Sequence, residues 1–326
     1  MSDQGNTNRV DRRYDFVLLF DVQDGNPNGD PDTGNLPRMD PQTLQGLVTD
    51  VCLKRKIRNA VAALADGRPG HQIYFQTQDA VFEKRVLNLL HKSAYDAQGL
   101  APVDGKKGDG KSKAEVTAKA RAWMCQNFYE VRAFGAVMST GDFNCGQVRG
   151  PVQITFARSL DPIVPLEVAI TRKSVTTEKD AEAQVKNGGV ITGTMGRKNA
   201  VPYGLYRAHG FINPHLARDT GFTYADLAVL FQAIQNMFEI DRSASRGLMK
   251  VCGLHVFQHA SALGEAPAHI LFDRVATRPL GVEAAPRSFA AYESSIQIQT
   301  GDLPKGVAYR DLTAAKMTDA MFPFDN

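Results

Sequence analysis

The chain has 326 residues, of which 43% are hydrophobic, with 38 basic and 35 acidic side chains. This composition suffices for one large domain or two small ones, and no run approaches the roughly 18 apolar residues of a membrane span. The polar N-terminus lacks the apolar stretch of a signal peptide. The four cysteines are far apart without a CxxC pair, which argues against structural zinc and favours a reduced, cytoplasmic compartment. A net charge of +3 says little by itself, so the placement of charge matters more.

The N-terminal part predicts a strand, a loop and a basic helix. A strand begins near Tyr14, because residues 16–20 form an uninterrupted apolar run. A loop rich in Gly, Pro and Asn starts at Gly25, and these residue types favour turns. From Pro41 to Leu64 the pattern predicts a helix whose apolar stripe changes sides part-way. Basic side chains crowd the side that the stripe leaves: Lys54, Arg55 and Arg58.

Cations on one side of a helix, beside an irregular loop, are typical of a groove that holds a phosphate backbone. The alternative is a solvated helix face whose cations interact favourably with the C-terminal end of the helix dipole. The sequence pattern leaves both interpretations open.

Residues 65–130 are predicted to be an insertion, with an amphipathic stretch first and a helix from about Ala114 to Phe128. The linker between them satisfies the P-loop formula GxxxxGK[ST] over residues 105–112. A P-loop requires a buried strand directly before it, and no strand pattern precedes Gly105. We therefore predict a flexible basic linker, whereas ATP binding that depends on Lys111 would support a P-loop NTPase.

The middle of the chain predicts two strands separated by an arm. Val152 to Phe156 alternates apolar and polar side chains, which predicts a strand with Phe156 among the inward residues. Residues 171–199 are polar and predict a projecting arm with a tight turn at Asn187-Gly188-Gly189. A second strand is predicted over Tyr203–Ile212.

The clearest helix follows Thr223. Thr223 and Asp226 match a capping box, and Phe222 and Leu227 match a hydrophobic staple. Its apolar residues recur with helical period: Leu227, Leu230, Phe231, Ile234, Met237 and Phe238. A strand over Val251–Phe257 completes the order β-α-β-β-α-β. We predict an α+β fold, a single ferredoxin-like (RRM-like) palm domain over residues 1–326 that carries large insertions.

Two groups of side chains have possible metal chemistry. Five carboxylates cluster around the first loop, where they could bind a metal and cleave RNA or could simply stabilise turns: Asp21, Asp24, Asp30, Asp32 and Asp40. His255 and His259 lie four residues apart, but without an HExxH motif we expect packed or hydrogen-bonded histidines and no bound metal.

Three segments resemble the Cas-seven family, in particular the backbone subunit of type I-C CRISPR surveillance complexes (Cascade), the Csd/Csh branch. They are Gly25–Asn59 (GNPNGDPDTGNLPRMDPQTLQGLVTDVCLKRKIRN), Met195–Ala217 (MGRKNAVPYGLYRAHGFINPHLA) and Phe238–Met249 (FEIDRSASRGLM). The resemblance implies a palm with a helical finger over residues 65–130 and a thumb-like arm over residues 171–199.

The resemblance also implies the partners and the activity. The protein is expected to bind CRISPR guide RNA without a cofactor, to form a helical filament of its own copies, and to present the RNA to target DNA. Other Cascade subunits and a separate helicase-nuclease are the further partners. A non-enzymatic role is therefore expected. Related type III backbone proteins cleave RNA with a loop aspartate, which keeps a metal-dependent endoribonuclease as the alternative.

The resemblance extends the candidate RNA-binding residues to the loop, the start of the helix and the arm. In the loop and the first helical turns they are Arg38, Gln42, Gln45 and Thr49. Short polar side chains at a helix start could instead cap it. In the arm, Met195 is the expected wedge that unstacks a base, beside Arg197 and Lys198.

Overall fold

The computed structural model describes residues 8–75, 86–102, 110–139, 141–188, 194–281 and 284–316, together with Phe322 and Phe324. The strands in these ranges are β1 Tyr14–Gly25, β2 Gly29–Asp30, β3 Leu36–Pro37, β4 Gln45–Val48, β5 Gly135–Met138, β6 Gly146–Arg149, β7 Val152–Ile154, β8 Ala157–Pro162, β9 Leu166–Arg172, β10 Thr194–Ile212, β11 Leu248–His259, β12 Val275–Thr277, β13 Ile296–Ile298 and β14 Val307–Asp311. The α-helices are α1 Asp50–Leu64, α2 Leu87–Ala97, α3 Gly110–Asn127, α4 Tyr129–Ala133, α5 Glu178–Gly188, α6 Pro214–Thr220, α7 Tyr224–Ile240 and α8 Ala268–Asp273. Short 3-10 helices span Pro31–Thr33 and Phe289–Ser295. None of the helices in these ranges combines the length and hydropathy that crossing a membrane requires.

The central sheet is antiparallel and is organised around β1. The strand order is β14-β11-β1-β10-β8-β4, and β7 and β9 also pair with β10. Phe16 of β1 lies opposite Gly210 of β10. A Cβ atom at Gly210 would lie 1.9 Å from the Phe16 ring, so only glycine lets the two strands approach with that ring between them. The predicted strand from Tyr14 is confirmed.

Both faces of β1 are buried, which explains its uninterrupted apolar run. Phe16 and Phe20 belong to a cluster shared with α1 and α7. Val17 and Leu19 face the opposite way, into a cluster with Leu271 and other side chains from residues 266–309. Residues C-terminal to β11 thus cover the face of the sheet that α1 and α7 leave open. Sequence inspection did not predict this cover.

The predictions for α7 are confirmed. Thr223 is the N-cap, its side chain accepts from the Asp226 N–H, and the Asp226 carboxylate accepts from the Thr223 N–H at 2.9 Å. Phe222 and Leu227 are fully buried. Every residue of the predicted stripe is buried as well. The capping box and the apolar stripe, both local features of the sequence, thus predict this helix, and the tertiary structure buries the stripe.

The helix predicted over residues 41–64 is wrong at its start. Gln45–Val48 is strand β4, which pairs with β8, and the helix begins at Asp50. The apolar stripe changes sides because two different elements contribute to it. Gln42 and Gln45 therefore lie in a turn and a strand, and not on the helix.

The region between α1 and β7 has a separate apolar cluster. α2, α3 and the β5–β6 hairpin surround side chains such as Tyr95, Met124 and Phe128. The helix predicted over residues 114–128 is confirmed, with its start moved to Gly110. The short helix α4 contributes Tyr129 to the central core and Val131 to this second cluster, so it joins the two.

The arm is a two-stranded ribbon with a helix between its strands. β9 pairs with the first part of β10, from Arg172 opposite Thr194 to Leu166 opposite Ala200. The predicted tight turn is wrong for Asn187 and Gly188, which end helix α5, while Gly189 lies outside the described residues. No residue of α5 is buried. The ribbon and its helix therefore rest on few contacts with the central sheet.

Phe156 was predicted to face inward, and this is also wrong, because its side chain is 52% exposed. The alternation ends at Ile154, where β7 ends. Thr155 leaves the strand and bonds to His209, since its N–H donates to the His209 carbonyl at 2.8 Å. The interrupted register turns Phe156 to the surface.

Candidate nucleic-acid interface

The three family-like segments meet at one end of the central strands β1, β10 and β11. The Asn26 N–H donates to the Ser245 carbonyl at 2.8 Å, which joins the first loop to the segment after α7. Lys198 on the arm strand donates to the Ala244 carbonyl in the same segment. Gly25 pairs with Val201 of β10. One continuous surface is thus formed by the first loop, by the arm where it joins the sheet near Lys198, and by the segment that follows α7 around Ala244.

The first loop is held in a fixed shape by backbone contacts. A Cβ atom at Gly25 would lie 1.9 Å from the Arg246 carbonyl oxygen, so only glycine allows the two backbone segments to approach this closely. Arg246 Nη1 donates to the carbonyl oxygens of Asn26 and Pro27 at 3.2 and 3.0 Å. Sequence reasoning did not assign Arg246 a role, although it stands beside Gly247 in the third segment. Its function here is to position the loop.

Thr49 joins the loop to the start of α1. Its hydroxyl accepts from the Cys52 N–H at 3.2 Å and lies 3.0 Å from Asn28 Oδ1. The Thr49 N–H also donates to Asn28 Oδ1, at 2.9 Å. Thr49 is therefore the N-cap, the role that short polar residues favour at a helix start. Asn28, which the sequence analysis did not single out, orients this cap.

The other loop candidates differ in how available they are. Arg38 is half-buried, with Nη1 3.3 Å from Asp30 Oδ2. Gln45 donates from Nε2 to the Ser159 carbonyl at 2.9 Å, which binds it to β8. Gln42 is exposed. An RNA contact by these residues stays a prediction, and Gln42 is the most accessible of the three.

The first two cations of α1 have partners within the protein. Lys54 Nζ lies 3.1 Å from Asp50 Oδ2 and 5.7 Å from the centroid of the Phe134 ring. Arg55 Nη1 donates to the Phe75 carbonyl at 3.1 Å. Both side chains are half-buried. Each can still offer its remaining donors to a phosphate.

Arg58 is also enclosed by other parts of the protein. Its side chain is 12% exposed, lies between the rings of Phe75 and Phe134, and has Nε 3.7 Å from Glu130 Oε1. Burial lowers the pKa of Arg58 and raises the pKa of Glu130. Glu130 Oε1 also accepts the N–H groups of Tyr74 and Phe75, both at 2.7 Å. Arg58 thus connects α1 to α4 as part of a buried polar network.

The arm presents two different faces. Directly paired residues share a face, so Met195 and Arg197 lie on one side and Lys198 on the other. Met195 is 75% exposed, and the Arg197 side chain is 78% exposed, with Nη1 2.9 Å from Glu167. The Lys198 face carries an exposed apolar stripe: Leu166, Val168 and Ile170. The structure therefore separates Lys198 from the other two arm candidates.

The acidic loop uses its carboxylates in local structure. Asp21 is buried, accepts from the Tyr203 hydroxyl at 3.0 Å, and has its pKa raised by burial. Asp30 accepts from the Asp32 N–H and pairs with Arg38. Ion pairing with Arg158 at 2.9 Å lowers the pKa of Asp40.

No group of three or more His, Cys, Asp or Glu side chains in the described ranges is placed to hold a metal. His259 is buried between Asp15 and Glu265, at 2.9 and 3.3 Å. His255 Nδ1 lies 3.0 Å from the Tyr309 hydroxyl. The prediction of packed, hydrogen-bonded histidines is confirmed.

The P-loop-like segment falls partly outside the described residues, since 103–109 are not described. Its last three residues, 110–112, form the first turn of α3. The chain before it, over residues 86–102, is helix α2 followed by a turn and irregular backbone, without a strand. This arrangement differs from the strand–loop–helix unit that a P-loop needs.

The family comparison decides which group of proteins these features belong to. A model of the CRISPR-associated protein Cas7 family matches residues 12–298. The chain belongs to this family. A curated Cas7 protein of Haloferax volcanii is 27% identical over 220 residues, which cover 66% of this chain and 61% of the relative. The match therefore spans less than two thirds of that Cas7 relative.

Two solved structures are also similar to the Cas7-family chain. One is described as "CRISPR RNA-guided surveillance complex, pre-nicking", with a TM-score of 0.47, 15% identity, and coverage of 75% of this chain and 78% of the other. A second, "CRISPR RNA-guided surveillance complex", has a TM-score of 0.39, 13% identity, and coverage of 75% and 68%.

Proposed function

We propose that this Cas7-family protein is the guide-RNA-binding backbone subunit of a type I-C CRISPR surveillance complex, of the Csd/Csh branch. The observation that carries the proposal is the meeting of the three family-like segments at one surface, through Asn26–Ser245 and Lys198–Ala244. In this role copies of the chain line up along the guide RNA in the cytoplasm, beside other Cascade subunits. The RNA is presented to target DNA, and a separate helicase-nuclease performs the cleavage.

We propose a ferredoxin-like palm at the centre. β1 lies between β11 and β10, β7 flanks β10, and α1 and α7 pack on one face, which is the arrangement that a β-α-β-β-α-β order forms in that fold. RRM domains stack bases on the open face of their sheet. Here residues 266–309 cover that face. The RNA path therefore runs over the first loop and the arm, at the edge of the palm.

The RNA would be held by its backbone, with its bases free to pair. Arg197 is the most accessible cation among the candidates and shares a face with Met195. A cation that contacts a phosphate beside an apolar side chain fits a device that unstacks one base, because the apolar contact offsets the cost of unstacking. We propose residues 171–199 as the thumb and residues 65–130 as the finger.

The arm also supports assembly into a filament. An isolated two-stranded ribbon is marginally stable in water. Leu166, Val168 and Ile170 are each about half exposed along β9, and no described residue covers them. A neighbouring copy that receives this stripe would bury it. Because the donor and acceptor surfaces differ, such contacts propagate as a helix.

The test is to co-express the chain with a CRISPR array and to sequence the nucleic acid that co-purifies. We expect a discrete RNA that contains the repeat, with several protein copies on each RNA. A matched array with a scrambled repeat is the control. Protein free of RNA, or bound equally to the scrambled transcript, would refute the proposal.

A further inference from the structure

A second basic site lies on the other side of α4 from Arg58. It is a cleft of about 850 Å³ between the helix α3, strand β6 and the junction of α6 with α7. Arg132 of α4 forms its floor and binds Asp226 through two contacts, Nη2–Oδ1 at 2.6 Å and Nε–Oδ2 at 3.0 Å. That pair is satisfied, so it shapes the cleft without attracting a ligand.

Four further arginines line the same cleft: Arg9, Arg121, Arg149 and Arg218. None of them forms a side-chain hydrogen bond or an ion pair with another residue in the described ranges. With Arg132, five arginines face two aspartates, Asp219 and Asp226. The lining thus carries three net positive charges, as many as the whole chain. Arginines from four separate elements that converge without acidic partners favour an anionic ligand.

Buried donors in the cleft point to an acceptor-rich ligand. Thr220 is 6% exposed, and its Oγ1 is buried without a hydrogen-bond partner. The buried Nε of Arg9 is also without a partner. Buried polar atoms are normally satisfied, so two unpaired donors in one cleft need a common explanation.

We propose that this cleft binds a phosphate group, with Arg121, Arg149 and Arg218 at its mouth and Thr220 and Arg9 as the inner donors. Arginine is suited to phosphate because its planar guanidinium donates two parallel hydrogen bonds. The volume lies in the range of pockets that hold nucleotide-sized ligands. The ligand is either a free phosphate compound or a phosphodiester of a nucleic-acid strand separate from the groove described above. The site does not depend on the proposed guide-RNA function.

The experiment is titration calorimetry of the full chain with inorganic phosphate and with AMP, at constant ionic strength. Three variants are compared: the double variant Arg121→Gln/Arg149→Gln, the variant Thr220→Val, and the control Arg287→Gln. Arg287 is exposed, and among the described residues its side chain bonds only to the Ala285 and Pro286 carbonyls. Thr220→Val preserves the shape and removes only an unpaired hydroxyl, so it should fold normally.

We expect saturable binding to the wild type and to the control, weakened about tenfold or more in the other two variants, since hydrogen bonds to charged groups are lost. A short oligouridylate then distinguishes the sources. If its affinity also falls in the double variant, the ligand is a strand phosphodiester; if only AMP and phosphate weaken, it is a free phosphate compound.

Three outcomes would overturn the proposal. The first is the absence of saturable phosphate or AMP binding to the wild type. The second is binding by either cleft variant that equals the control. The third is binding of a glutamate-rich peptide where phosphate fails to bind, which would assign the cleft to an acidic protein segment.

Discussion

Helix α1 and the arm both carry cations that are candidates for RNA contact, but they hold them in opposite ways. Arg58 of α1 is 12% exposed and lies between two aromatic rings beside a buried carboxylate. Arg197 of the arm is 78% exposed, and its partner Glu167 is itself half exposed. The sequence alone does not distinguish these two arginines. In the structure Arg58 is packed inside the protein, whereas Arg197 is available to a ligand.

The difference has a simple cause. α1 packs against α7 and the sheet, so many of its side chains, Arg58 among them, meet other parts of the protein. The arm is a ribbon whose strand β9 is exposed along its whole length, so Arg197 beside it is not enclosed, although Lys198 nearer the sheet is half-buried. The number of basic residues in a packed helix therefore exceeds the number of cations that RNA can reach. In an exposed ribbon most of the cations are accessible.

The largest difference between the two regions is expected in stability, when Arg58 and Arg197 are each replaced by methionine. Arg58→Met leaves Glu130 buried without its cation, so we expect the free energy of unfolding to fall by about 3 kcal/mol. Arg197→Met breaks an exposed pair and should change it by less than about 0.5 kcal/mol. Urea unfolding with unchanged m-values measures both. Equal losses in the two variants would abolish the distinction between the regions.

The second test removes the outer part of the arm. Arg172 and Thr194 lie directly opposite each other, so an Asn-Gly pair in place of residues 173–193 can close the ribbon as a two-residue hairpin. Because α5 has no buried residue, we expect the unfolding free energy to stay within about 1 kcal/mol of wild type. Filament formation on guide RNA should be lost, as electron microscopy would show.

A control for this truncation keeps the arm at full length. Asn187→Ala with Gly188→Ala alters the end of α5 and should leave filaments intact. Normal filaments of the truncated protein, with unchanged base accessibility to chemical probes, would return the arm to the status of a surface loop.

The third test compares the salt dependence of RNA binding. Arg197→Ala should flatten the slope of log affinity against log salt by about 0.7, the contribution of one phosphate contact on a single strand. The double variant Lys54→Ala/Arg55→Ala should flatten the slope by less than the contribution of two phosphate contacts, because both side chains already bind groups of the protein. Glu167→Gln frees Arg197 and should leave the slope as steep as in wild type. A larger change from α1 than from the arm would reverse the comparison.

The smallest effect is expected from Lys111→Ala, in the first turn of α3. No strand precedes the P-loop-like segment over residues 86–102, so RNA binding and assembly should be unchanged. A nucleotide-binding assay on the purified chain provides the check. If the chain bound ATP and Lys111→Ala abolished that binding, the segment would be a nucleotide-binding loop despite the missing strand.

The sequence alone determined the elements whose signals are local. The capping box at Thr223 and the period-3.6 stripe of α7 involve neighbours along the chain, and they appear in the structure as predicted. The apolar run of β1 likewise predicted a buried strand. Such signals hold because residues three or four apart in a helix share one face, whatever surrounds it.

Only the tertiary structure decided what depends on residues distant in sequence. β4 replaces the predicted start of α1 because β8 offers it a pairing edge more than a hundred residues away. The sheet face opposite α1 is covered by the C-terminal segment. Whether Arg58 or Arg197 is free for a ligand depends on what packs against each, and burial is a property of the folded chain that no local pattern contains.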